Sequence, residues 1–92
     1  MYLSHPVRRM REDPIDGEAV VLIVTAEDET QREDLETAIE SVGGTVTDRL
    51  QFGALRVEIA QHRIDDLCEL GGIESIETEH AVGVGGDAGE DV

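Results

Sequence analysis

The sequence predicts an α+β fold, a βαββαβ chain closing into a four-stranded antiparallel sheet with two helices on one face. Three observations point there. Four short segments rich in Val, Ile, Leu and Thr alternate with two segments whose apolar residues recur every three or four positions. Both helical segments stop at a Gly-Gly pair, Gly43-Gly44 and Gly71-Gly72. The two middle strands are joined by only Gln51-Phe52-Gly53, a link that a hairpin can use and a parallel crossover cannot.

The chain of 92 residues makes one small domain. Folding at this size buries about 60–65% of the unfolded surface, enough for one two-layer core but not for a deep catalytic cleft as well. Tyr2 and Phe52 are its only aromatic residues, so the core must be aliphatic. Residues 1–17 read as a flexible arm, because Pro6 and Pro14 interrupt regular structure and Ile15-Asp16-Gly17 is turn-like. The folded domain is expected over 18–80.

The first strand spans Glu18 to Ala26, with Val20, Val21, Leu22, Ile23 and Val24 forming an unbroken apolar run. A strand apolar on both faces is a central one, and if the domain covers only one face the other is free for a partner. Thr30-Gln31-Arg32-Glu33 has the form of a capping box with Thr30 as N-cap. Leu35, Ala38, Ile39 and Val42 then share one face of a helix over about 31–42. Thr45 to Leu50 and Ala54 to Ile59 form the hairpin, the second strand alternating Leu55, Val57 and Ile59 with Arg56 and Glu58.

Gln61 to Leu70 is the second helix, with Ile64, Leu67 and Cys68 at its inner positions. The last strand runs from Ile73 to about Glu79. Residues 81–92 are too Gly-rich and acidic to hold structure alone and read as an extended tail. Two right-handed crossovers interlocked in this order give the split βαβ, ferredoxin-like arrangement. Its second sheet face has no covering element and must meet water or a partner.

Charge narrows the partners. There are 22 acidic residues against 7 basic ones, all Arg, for a net charge of −15. A polyanion would be repelled, which excludes nucleic acid. A Lys-free acidic surface fits a protein working in molar salt, where the screening length falls to about 3 Å. No apolar run reaches the ~18 residues a membrane span needs. The N-terminus has an Arg pair but no apolar stretch behind it, so no secretory signal is expected and the expected location is cytoplasmic. Cys68 is the only cysteine, which leaves no internal disulfide and reads as a small core residue.

Catalysis finds no support. His5, His62 and His80 have no metal-site spacing, and Ser4, Ser41 and Ser75 lie in no nucleophile-elbow context. The Gly pairs follow helices rather than open them, the wrong polarity for phosphate binding. No cofactor and no metal are expected, and Glu27-Asp28-Glu29 reads as a solvated loop.

What remains is interaction. EAVVLIVTA, the helix ending in Gly43-Gly44 before Thr45-Val46, GALRVEIA, DDLCEL and GGIESIETEH occur in an order that resembles the propeptide domain of subtilisin-type serine proteases, found also as small free-standing inhibitors. The resemblance runs from Glu18 to Val84, and the last strand into His80 carries most of it. It implies that the open sheet face packs on two protease helices, with Glu77 and Glu79 capping their N-termini. Two residues apart on a strand, both carboxylates point one way, as that role requires. It also implies that His80, Ala81, Val82, Gly83, Val84 and Gly85 continue into the substrate cleft by strand addition, with Val82 as apolar anchor.

No protease domain follows in the sequence, so action in trans is expected. Gly85 would stand at the primary specificity pocket without a side chain, and Asp87, Glu90 and Asp91 follow it, which implies a weak or cleavable ligand. The alternative is a non-inhibitory regulatory or self-associating module on the same fold, a homodimer through the open sheet face. Whichever holds, the charge balance predicts that the melting temperature rises from dilute buffer to molar KCl; a flat melting temperature across that range contradicts salt adaptation.

Overall fold

A computed structural model describes residues 1–78. Its elements are β1 (Tyr2–Leu3), α1 (His5–Glu12), β2 (Ala19–Ala26), α2 (Arg32–Ser41), β3 (Thr45–Arg49), β4 (Ala54–Ala60), α3 (Ile64–Cys68) and β5 (Ile73–Thr78). The fold is α+β, with a five-stranded mixed sheet in the order β1-β5-β2-β4-β3. The β2–β4, β2–β5 and β3–β4 pairs are antiparallel, and β1 runs parallel to β5. The expectation of four antiparallel strands and two helices is therefore corrected to five strands and three helices.

The additional elements come from the stretch expected as an arm. Pro6 does not break structure there because it occupies the first turn of α1, where its missing N–H costs no hydrogen bond. Val7 is fully buried, and Leu3 and Met10 pack beside it against the core. Ser4 N–H donates to the Ile76 carbonyl at 3.1 Å, continuing the β1–β5 pairing into the helix start. Arg11 Nε meets Asp65 Oδ1 at 3.0 Å, an exposed and salt-screened pair that adds little. Ile15 N–H donates to Gln61 Oε1 at 3.0 Å.

One aliphatic core lies on one side of the sheet. Leu22, Val24 and Ala26 of β2, Leu55, Val57 and Ile59 of β4, and Ile73 and Ile76 of β5 share a buried cluster with Val7 of α1, Leu35 and Ile39 of α2, and Ile64 and Leu67 of α3. All three helices therefore cover the same sheet face. Burying a Leu or Ile side chain contributes about 1.5–3 kcal/mol, so this shared cluster is the main stabilising term.

Two register shifts decide which side chains reach it. Ile73 and Ile76 are three apart, a spacing that a regular strand would send to opposite faces. The pairing passes from Thr25↔Ser75 to Ala26↔Ile73, leaving Glu74 as the extra residue and returning both isoleucines to the core. In β3 the pairing passes from Val46↔Val57 to Asp48↔Arg56, with Thr47 as the extra residue. Arg49 thereby lands on the helix side, where Nε and Nη2 donate to the two Glu36 carboxylate oxygens at 2.8 and 2.9 Å. Glu36 is buried, and this two-point ion pair clamps β3 to α2.

The helix ends follow local chemistry. Thr30 is not the cap expected of it: it donates through its backbone N–H and its hydroxyl to Asp28 Oδ1, at 3.0 and 2.8 Å. Asp28 caps a 3-10 turn over Glu29–Gln31, and α2 begins after it. These donors, the backbone one first, hold the Asp28 carboxyl below the usual carboxylate range, so the cap is intact above that range and weakens as the pH falls through the lowered pKa. At the far end Gly43 N–H donates to the Glu40 carbonyl and Gly44 N–H to the Ile39 carbonyl, the Schellman closure of a helix. A Cβ on Gly44 would stand 2.6 Å from Ile39 Cγ2, so only Gly fits.

The β3–β4 link is the Gln51–Gly53 turn, closed by Leu50 N–H on the Ala54 carbonyl at 2.8 Å. Within it Phe52 sits at φ 60° and ψ 35°, a left-handed conformation that costs a residue bearing a Cβ about 1–2 kcal/mol.

The placement of Val7 yields a direct test. Val7→Ala lowers the unfolding free energy by about 1.5–3 kcal/mol in urea titrations; no change means that the N-terminal helix does not hold the core.

Candidate functional site: the uncovered sheet face

With the helices on one side, every second residue of β2 and β4, and Ser75 and Glu77 of β5 past its bulge, face away from them. Two cross-strand rows lie there. The first is Tyr2, Ser75, Thr25 and Ala54, and the second is Glu77, Ile23, Arg56 and Asp48. Val21, Glu58 and Thr45 form a shorter third row.

Glu77 belongs to this face because Ile76 before it is fully buried on the other. It is half-buried and stands opposite Ile23. Ile23 is only 6% exposed although it lies outside the helix-covered cluster. Its cross-strand neighbours are Glu77 and Arg56, whose aliphatic stems can screen it. These two flank it from adjacent strands, so their Cα atoms are about 10 Å apart. Arg56 Nη1 also meets Asp48 Oδ2 at 3.4 Å.

The centre of the face is thus apolar, half-buried Val21 beside Ile23, which its neighbours already cover, inside a charged frame of Glu77, Arg56, Glu58 and Asp48. Three carboxylates against one guanidinium give it negative potential. Such a surface accepts a partner offering apolar side chains and N–H donors or cations, including helix N-termini. Of the other residues read from the sequence as the site, Glu79, His80, Ala81, Val82, Gly83, Val84 and Gly85 lie outside the described residues.

Among the described residues no cluster of His, Cys, Asp or Glu is arranged to hold a metal ion. His5 and His62 are exposed on separate elements, α1 and the turn before α3. Cys68 is half-buried at the end of α3 and packs against the core, as its spacing predicts. Burial pushes its thiol up, with Arg11 opposing, which keeps it protonated and unreactive near neutrality. Among the described residues no helix is long and apolar enough to cross a membrane.

Sequence reasoning missed two features of the surface. One is the row begun by Tyr2, which needs β1. The other is Phe52, which is 81% exposed at the hairpin turn. The aromatic count held a signal for both: with just two aromatic residues, a core assembled from aliphatic segments had no assigned place for either.

Compared with known proteins, the chain matches the model of a family described as "Putative peptidase inhibitor domain" over residues 2–79, which takes in every described element. No curated protein matches it.

The two-faced sheet predicts opposite outcomes at adjacent positions of β2. Thr25→Arg, on the uncovered face, changes stability by no more than about 0.5 kcal/mol. Val24→Arg, one residue before it, places an unpaired charge in the core and prevents folding. Circular dichroism with urea titration reads both, and equal losses contradict the assignment of faces.

Proposed function

The chain belongs to this peptidase-inhibitor family, and we propose that it binds a subtilisin-type serine peptidase in trans through the uncovered sheet face. In this reading the segment from β2 to β5 is the ferredoxin-like βαββαβ unit. The observation that carries it is the position of Glu77: a half-buried carboxylate on a face that no helix of the described residues covers, beside Val21 and Ile23, on the strand that precedes residues 79–85 in the sequence. Glu77, with Glu79 two residues on in the sequence, accepts hydrogen bonds from helix N-termini of the peptidase. His80, Ala81, Val82, Gly83, Val84 and Gly85 then enter the substrate cleft as an added strand, with Val82 in an apolar subsite.

The role is inhibition or assistance to folding of the peptidase, not catalysis. A peptide ending its contacts at Gly85 leaves the primary specificity pocket unfilled. That favours a moderate, reversible affinity over a very tight one. The second reading, a homodimer through the same face, draws on the apolar patch at Val21 and Ile23, which is small for a stable obligate interface.

Titration against a subtilisin-type peptidase in molar KCl separates the two. The proposal expects inhibition at micromolar concentration or below. It expects Glu77→Ala and Glu79→Ala together to weaken that inhibition about tenfold or more. A stable dimer in sedimentation with no inhibition at micromolar excess favours the second reading instead.

A further inference from the structure

The uncovered face ends at the strand termini, but a second surface feature lies beyond it. Phe52 is an apolar aromatic side chain, 81% exposed, in a protein whose core uses no aromatic residue. Among the described residues it is also the only one other than Gly with positive φ. A bulky side chain in that conformation is strained, and persists only where its surroundings hold it.

The surroundings do hold it. Gly53 at φ 75° has its open side filled by Glu29, whose Cγ stands 3.0 Å from where a Cβ would be. Leu50 N–H on the Ala54 carbonyl closes the turn on the other side. Nothing in the core asks for a phenyl ring at this point. Gly or Asn would adopt the same backbone more readily. The position thus combines strain, rigid presentation and exposure of an aromatic side chain of the kind enriched in interface cores.

Resting on the peptidase-binding reading, we propose that Phe52 is a second, apolar anchor for the peptidase, entering a surface pocket with a cationic rim. The rim follows from the neighbours: Glu27, Asp28 and Glu29 are all exposed, and Glu29 packs directly on the Phe52 turn. Position supplies the rest. Phe52 precedes β4, whereas Glu77 lies near the end of β5, which runs in the same direction as β4. Glu77 shares a row with Arg56, four residues past Phe52 and two strands across, so the two anchors stand about 15 Å apart. Two contacts at that separation fix how the domain sits on its partner.

The test uses the full chain and its Phe52→Ala, Phe52→Gly and Phe52→Asn variants, with a subtilisin-type peptidase as probe in molar KCl. All three variants are expected to raise the inhibition constant about tenfold or more. Phe52→Gly is expected to raise the melting temperature by about 2–5 °C, as the backbone strain is released. A parent that inhibits while all three variants match it overturns the anchor and leaves the peptidase reading standing. A fall of several degrees in the melting temperature of every variant also overturns it, because Phe52 is then structural. A parent that does not inhibit removes both.

Discussion

Burial of Leu22 and Val24 under three helices is the constraint from which the rest of the molecule follows. Both side chains are fully buried, and both lie on the central strand of the sheet. A chain this short assembles one core, so their neighbours Val21 and Ile23, on the same strand, point to a face that no helix of the described residues covers. The continuous apolar run that makes β2 central thus also makes the protein two-sided. One side is a packed aliphatic interior. The other is a sheet surface with an apolar centre and an acidic frame, suited to another protein.

Much of this was legible in the residues. The strict alternation of Leu55, Val57 and Ile59 with Arg56 and Glu58 placed β4 and its two faces correctly. Gly43-Gly44 marked the end of α2 because the Schellman closure needs the left-handed conformation at the first and has no room for a Cβ at the second. What was not legible depends on tertiary context. Pro6 reads as a breaker in isolation and as a helix-start residue only once Val7 has a core to enter. Thr30 has the composition of a cap, but Asp28 two residues earlier offers a charged acceptor and takes that role. Register shifts at Glu74 and Thr47 have no local signature, and they decide where Ile73 and Arg49 point. Of the candidate site, Glu77 was named through the family resemblance, and its place after buried Ile76 puts it on the uncovered face, while Tyr2 and Phe52 became visible only with the sheet assembled.

Charge and packing divide the work. The Arg side chains within reach of the body are largely committed: Arg49 to Glu36, Arg63 to Asp66, Arg56 to Asp48, Arg11 to Asp65. Most of these pairs are exposed and weak individually. The excess of carboxylates is left to the surface, where it sets the sign of every face offered to a partner. A peptidase bound there must answer with N–H donors, helix N-termini or cations, and this selects among partners more than it adds affinity.

The central claim is that Val21, Ile23 and Glu77 form the docking face. It is tested most directly by methyl NMR of the protein mixed with a catalytically inactive subtilisin-type peptidase in molar KCl. The account predicts that the methyl signals of Val21 and Ile23 shift or broaden at equimolar peptidase while those of Ile39 and Ile64, behind the sheet, stay in place. A complex that moves Ile39 and Ile64 and leaves Val21 and Ile23 unchanged would contradict it.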